Sequence, residues 1–236
     1  MFNERARGSE FLDRPDADPR LVEESYKFME VVNRIGGGIR VVRKFLEQEL
    51  SRSADAEATV LDIGAGDCDI PLAITRWAAR QGYKVRFTCL DHDPKAAELA
   101  QSRIARCHCG TIRAVQGDVF TYRPADKFDY AMGSMTFHHF TDDEIDALIT
   151  RLRTFVRKAV LINDLHRCPA NYVACLLLVL PLDREIRHDA LLSIRRGFKP
   201  RELASRLAQH DPGAVARRMW FCRVAGVVRF DRGSRG

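Results

Sequence analysis

Between residues 59 and 165, short apolar runs alternate with helical segments of about 10–15 residues, and this alternation constrains the fold more than any other feature of the chain. The runs TVLDIG (59–64), KVRFTCLD (84–91), TIRAVQGD (111–118), FDYAMGS (128–134) and KAVLINDL (158–165) read as strands. Residues 70–82, 94–107 and 142–156 read as helices; Gly82 is placed to end the first, and Pro94 sits in the first turn of the second. Such an order requires right-handed crossovers and a parallel sheet. Residues 218–230 supply two further strands, with a turn expected near Gly226. The expected fold is therefore α/β, a doubly wound, mostly parallel seven-stranded sheet.

Ahead of the first strand, residues 9–20 carry Pro15, Pro19 and three Asp, an extended or turning lead-in. From 21 to 50 the apolar residues fall at helical spacing, interrupted at Gly36-Gly37-Gly38. Two helices with a glycine joint are expected there. The reading divides the chain into a helical cap or lid over 1–52 and a main domain over 53–236, with a lid or substrate insertion at 171–200.

In an open α/β sheet, ligands bind beyond the carboxyl ends of the strands. The first such place is VLDIGAGDCDIP (60–71), a glycine turn ringed by Asp62, Asp67 and Asp69. Gly64 and Gly66 permit close ligand approach. A phosphate-binding loop would need a Lys that is absent, and a dinucleotide loop would need a third glycine where Cys68 stands. Three carboxylates would also repel a pyrophosphate. S-adenosylmethionine carries no phosphate but has a sulfonium and an ammonium, so carboxylates attract it, and its amine facing Asp62 makes a charge-assisted hydrogen bond.

At this point the chain resembles the class I S-adenosylmethionine-dependent methyltransferases, from about 58 to 165 and more loosely to the C-terminus. Asp62-Ile63-Gly64-Ala65-Gly66 matches the acidic-x-G-x-G motif, with Cys68 where a third glycine is common. Asp91 in CLDHDP matches the acid that ends strand two and holds the ribose hydroxyls, whereas Asp93 suits a helix cap before Pro94. Asp118 in QGDVF matches the acid near the adenine amino group, with Val119 lining the ring. The resemblance implies a Rossmann-like fold and a cofactor set of Asp62, Gly64, Gly66, Asp67, Asp91, His92, Asp118, Val119 and Ser134.

The methyl acceptor is read from absences and from histidines. The [DN]-P-P-[YF] motif of base and glutamine N-methyltransferases is replaced by GSMTFHHF, and Cys168-Pro169 reverses the Pro-Cys order of 5-methylcytosine chemistry. Both speak for a small molecule and against nucleic acid. A phenolic hydroxyl has a reference pKa of about 10 and needs a base. His138 and His139 after strand four, with Asp164 and His166 after strand five, are the candidates, all four expected on one rim; His139 and His166 are favoured. Phe28, Met29, Ile35, Tyr172, Leu176, Leu180 and Phe198 are expected to line an apolar pocket. SIRRGFKPRELASRLAQ resembles the small-molecule branch, with a helix starting after F-x-P. The N-terminal stretch loosely resembles bacterial methyltransferases of polyketide and quinone-like metabolites.

Net charge is +6, spread over 38 basic and 32 acidic residues, with one weak cluster at Arg195, Arg196, Lys199 and Arg201. An rRNA or tRNA methyltransferase using that surface is the alternative, and a catalytically inactive binding module of the same fold is the third reading. Seven scattered cysteines point to reduced thiols in a cytoplasm. Cys107-His108-Cys109 lacks paired C-x-x-C halves, so no metal is expected. The longest apolar run, YVACLLLVLPL (172–182), is shorter than the roughly 20 residues a membrane span needs and reads as a buried helix or a pocket wall. The oligomeric state is left open, a homodimer included.

Overall fold

A computed structural model describes residues 2–14, 16–51 and 57–230. After a 3-10 turn at Phe11–Asp13 the elements run α1 (Pro19–Ile35), α2 (Gly38–Leu50), β1 (Glu57–Ile63), α3 (Asp69–Arg80), β2 (Lys84–Asp91), α4 (Pro94–Cys107), β3 (Ile112–Gln116) and β4 (Phe128–Ser134). A second 3-10 turn at Phe137–His139 leads to α5 (Asp142–Leu152), β5 (Val156–Leu165), α6 (Pro169–Val179), α7 (Arg184–Arg196), α8 (Pro200–Leu207), β6 (Val215–Arg218) and β7 (Arg223–Arg229). Pro15 and the 52/53 boundary lie outside the described residues.

The seven strands lie in the order β3-β2-β1-β4-β5-β7-β6. All pairings are parallel except those of β7, which runs antiparallel to both β5 and β6. The sheet is Rossmann-like and doubly wound: strand order reverses between β1 and β4, so the crevice beyond their carboxyl ends is the place for a ligand. The central strands are buried on both faces, as parallel strands covered by helices must be, and β1 and β5 accordingly read as nearly continuous apolar runs.

Local chemistry sets the helix starts. Asp18 caps α1 by accepting from Arg20 N at 2.9 Å, and Asp93 caps α4 by accepting from Lys95 N at 3.0 Å. Thr141 and Glu144 form a capping box at α5. α8 starts at Pro200, directly after Phe198-Lys199.

The structure corrects several expectations. α2 is not laid over the domain: Val42, Leu46 and Leu50 belong to the same core as Val60, Leu72 and Phe87. The final hairpin turns at 219–222, not near Gly226. Gly226 is mid-strand because α8 packs there, and a Cβ on it would meet Leu207 at 2.6 Å. The 172–182 run is not a buried helix. α6 buries only Asn171 and Val179, and Val173, Leu177, Leu178 and Leu180 are exposed.

Candidate active site

Asp62 is the penultimate residue of β1, and the chain then turns at the strand-order reversal. Gly64, Gly66 and Cys68 adopt φ of 62°, 54° and 64°, the left-handed region. This accounts for the glycines, and it makes Cys68, with a side chain in that region, a strained start for α3. A Cβ on Gly64 would lie 2.5 Å from the Thr136 side chain, and one on Gly66 would lie 3.0 Å from the Tyr26 ring on α1. The turn is held from β2: Gly64 N donates to Leu90 O at 2.8 Å, and Gly66 N donates to Asp91 Oδ2 at 2.8 Å.

A cavity of about 1040 Å³ opens at this turn. Asp62, Gly64, Gly66, Asp67, Asp91, His92, Asp118, Val119 and Ser134 all line it. Their surroundings differ. Asp67 is ion-paired with Arg103, which also meets Glu30 at 3.1 Å. Asp91 accepts from Gly66 N and from Asp93 N at 3.0 Å. Ser134 Oγ accepts from Asn163 Nδ2 at 2.9 Å. Asp69, reached by Asn33 Nδ2 at 3.0 Å, joins the acidic wall. Asp118 and His92 stand exposed at the edge.

Electrostatics identify what the acidic wall suits. Burial, followed by the neighbouring Asp69 and Asp91, pushes the Asp62 carboxyl well above the usual range. Burial and Asp67 push Asp69 up to about 6, and burial raises Asp91. Crowded, desolvated carboxylates gain most from a ligand that brings positive charge and hydrogen-bond donors. The set fits S-adenosylmethionine, which brings a sulfonium, an ammonium and hydroxyl donors to such a wall.

The far wall of the cavity holds Glu10, His138 and His139. His138 is 2 % exposed and lies between two carboxylates, with Nδ1 2.7 Å from Asp164 and Nε2 3.6 Å from Glu10. Burial alone would lower its pKa, but Asp164 and Glu10 outweigh that and hold it up at about 9. Burial would raise Glu10, but the two histidines and Ser193 bring it down to about 2. His139 is 30 % exposed, with Nε2 3.8 Å from Glu10 and its ring 4.3 Å from that of His138. The three side chains place ligand atoms within 4.8 Å of one another, as a metal shell would. However, Arg196 reaches Glu10 at 3.4 Å, Ser193 Oγ donates to it at 2.8 Å, and His138 holds a proton on this network. Charge is already balanced, which favours a proton-handling cluster over a cation site.

The four expected catalytic residues do not share one rim. Asp164 is fully buried behind His138, accepting from its ring and from its backbone N–H at 3.0 Å. His166 does not line the cavity; its backbone N–H donates to Cys222 O at 2.7 Å and it bridges to Phe198. Phe28, Met29 and Ile35 line the cavity, but Tyr172, Leu176, Leu180 and Phe198 do not. Sequence reasoning missed Glu10, because no spacing pattern ties the N-terminal segment to the His pair. The segment is strapped there by Arg5, which donates to His138 O at 3.0 Å and Phe140 O at 2.8 Å, and by Phe11 N donating to Asp189 at 2.6 Å.

The family model described as a methyltransferase domain matches residues 60–159. No curated protein matches the chain by sequence. Among solved structures, the plantazolicin methyltransferase BpumL in complex with SAH is similar at a TM-score of 0.69 and 13% identity, over 93% of this chain and 92% of that one. The O-methyltransferase NcsB1 from neocarzinostatin biosynthesis, with S-adenosyl-L-homocysteine (SAH) and 1,4-dihydroxy-2-naphthoic acid, is similar at 0.62 and 17% identity, over 94% of this chain but 62% of its own length. The magnesium protoporphyrin IX methyltransferase ChlM from Synechocystis PCC 6803 is similar at 0.55 and 13% identity, over 82% and 83%. At these identities the likeness is one of fold. Residues 60–159 match the methyltransferase-domain family model, and the chain has the same fold as these solved methyltransferases.

Proposed function

We propose that the protein methylates a hydroxyl, phenolic or quinol in type, on a small and largely apolar acceptor of secondary metabolism. The observation that carries this reading is that one cavity joins the acidic glycine turn to the Glu10–His138–His139 cluster, with Phe28, Met29, Val32, Ala174 and Leu178 among the apolar groups on its walls. Bound S-adenosylmethionine supplies an electrophilic methyl group on a sulfonium. Asp62 and Asp91 would hold its amine and its ribose hydroxyls at the glycine turn. His139 would accept the acceptor's hydroxyl proton, readying that oxygen for the methyl group the cofactor would supply. Glu10 steadies the imidazolium that results, and Asp164 with His138 fixes Glu10 in place. The 1,4-dihydroxy-2-naphthoic acid held in complex with NcsB1 is of the chemical class this wall suits.

The RNA alternative has less support. Of the basic cluster at 195–201, Arg196 is buried against Glu10 and against the carbonyls of His138 and His139. Seven free cysteines suit a reducing cytoplasm.

The test is SAH release on a panel of phenols and hydroquinones. With an acceptor that turns over, His139→Ala should lower kcat by roughly 10²–10⁴, the usual worth of a positioned base, and leave SAH affinity unchanged. An unaltered kcat would remove His139 from the mechanism. Turnover on a structured RNA and on no phenol would replace the acceptor class.

A further inference from the structure

Every large apolar residue that stands exposed among the described residues lies on one of three segments: Val31 and Ile35 on α1; Val173, Leu177, Leu178 and Leu180 at α6; Val215, Trp220 and Phe221 on the final hairpin. These segments meet. A Cβ on Gly36 would lie 3.3 Å from Cys222 Sγ, one on Gly37 would lie 3.3 Å from Trp220 O, and the Cys222 thiol acts electrostatically on Cys175 of α6. Ile35, Leu178 and Phe221 also line the cavity, so the apolar surface is one side of its mouth.

The hairpin tip is built to present rings outward. Phe221 takes φ of 55°, a region bulky residues avoid, and both Trp220 and Phe221 are 61 % exposed, their rings 5.5 Å apart edge to face. α1 carries Glu23, Glu24 and Glu30 ahead of Val31, but the stretches that bear the exposed apolar residues carry no acid. Residues 31–46, 166–182 and 212–230 contain no Asp or Glu. They place the exposed Arg34, Arg40, Arg217 and Arg218 around the patch, Arg40 lying over the Trp220 ring at 5.4 Å.

We propose that this side of the mouth docks on an anionic lipid surface. The aromatic tip and the leucine ridge of α6 enter the headgroup boundary, and the arginines face lipid phosphates. Interfacial segments have this make-up: apolar and aromatic groups that bury shallowly, with cations whose stems follow them. No helix of the described residues is long and apolar enough to cross a membrane, so contact would be peripheral. An acidic protein surface would match the arginines but leave the exposed leucines unburied, and a second copy would set arginine against arginine. The inference concerns the rim and stands independently of the acceptor's identity.

Co-sedimentation with vesicles tests it. The protein should pellet with equimolar phosphatidylglycerol–phosphatidylcholine vesicles, and binding should fall about tenfold or more on pure phosphatidylcholine and at high salt. Leu177→Glu and Trp220→Glu, neither of which lines the cavity, should each lower vesicle affinity about tenfold while SAH affinity and the thermal unfolding curve hold. Absence of vesicle binding by the unaltered protein would overturn the proposal. So would equal binding by folded variants. A dimer in light scattering that Trp220→Glu dissolves, without vesicle binding, would assign the patch to self-association instead.

Discussion

Oε1 of Glu10 lies 3.6 Å from Nε2 of His138, so a residue of the N-terminal segment completes a site whose other members stand after β4, at the end of β5 and on α7. Glu10→Gln keeps the shape and removes the charge. On the proposed mechanism it should lower kcat about 10²-fold, as loss of the group that stabilises a protonated base does, with SAH affinity unchanged. Single-turnover methyl transfer with SAH titration separates the two effects.

The same pair sets a stability profile. His138 is held at about 9, above its ordinary 6.5, so its contribution is complete below pH 6.5 and is lost as pH rises through 9. Glu10 is held at about 2, below its ordinary 4.5, so its contribution is present above pH 4.5 and is lost as pH falls through 2. Urea unfolding should show His138→Gln costing on the order of 2–3 kcal/mol at pH 6 and clearly less at pH 9.5.

The acidic wall gives cofactor binding a pH dependence of its own. Asp69 titrates near 6 and Asp62 is raised well above its ordinary value. Their ionised forms attract the cationic cofactor, so affinity for S-adenosylmethionine should weaken as pH falls from 8 to 5, by roughly tenfold for a change of about 1.4 kcal/mol. Calorimetry at the two pH values reads this. Asp62→Asn should flatten the profile as well as weaken binding.

At the turn, Gly64→Ala forces a methyl group to within 2.5 Å of Thr136 and strains a φ of 62°. It should cost about 1–3 kcal/mol of stability and most of the SAH affinity. Cys68→Gly relaxes a φ of 64° and empties a fully buried site, effects of opposite sign and each about 1 kcal/mol. Its Tm should move little and SAH affinity should stay within a few-fold.

Metal chelation is the remaining control. Arg196 and Ser193 already occupy Glu10, so dialysis against EDTA should leave methyl transfer intact. Loss of activity restored by one divalent cation would convert the cluster into a metal centre.

The alternation of apolar strands and helices is legible in the sequence because each strand near the reversal point is short, apolar and bounded by turn residues. The cofactor turn is legible because its chemistry is local: Asp62, Gly64, Gly66 and Asp91 work within a few residues of a strand end. The acceptor wall is not, since Glu10, His138 and Ser193 meet only through tertiary packing. α6 misleads for a related reason. An uncharged apolar helix reads as interior, and only the fold shows that one side faces the cavity and the other faces outward.

Glu10 touches side chains on the second 3-10 turn and on α7, both far from it in sequence, and lies just ahead of the first helical turn. Contacts that span so much chain close late and open early, because their loop entropy is large and their local support small. The N-terminal segment should therefore open as a latch ahead of the sheet. On heating, methyl transfer should fade while the sheet is still intact, leaving a protein that has lost the carboxylate beside its base before it has lost its fold.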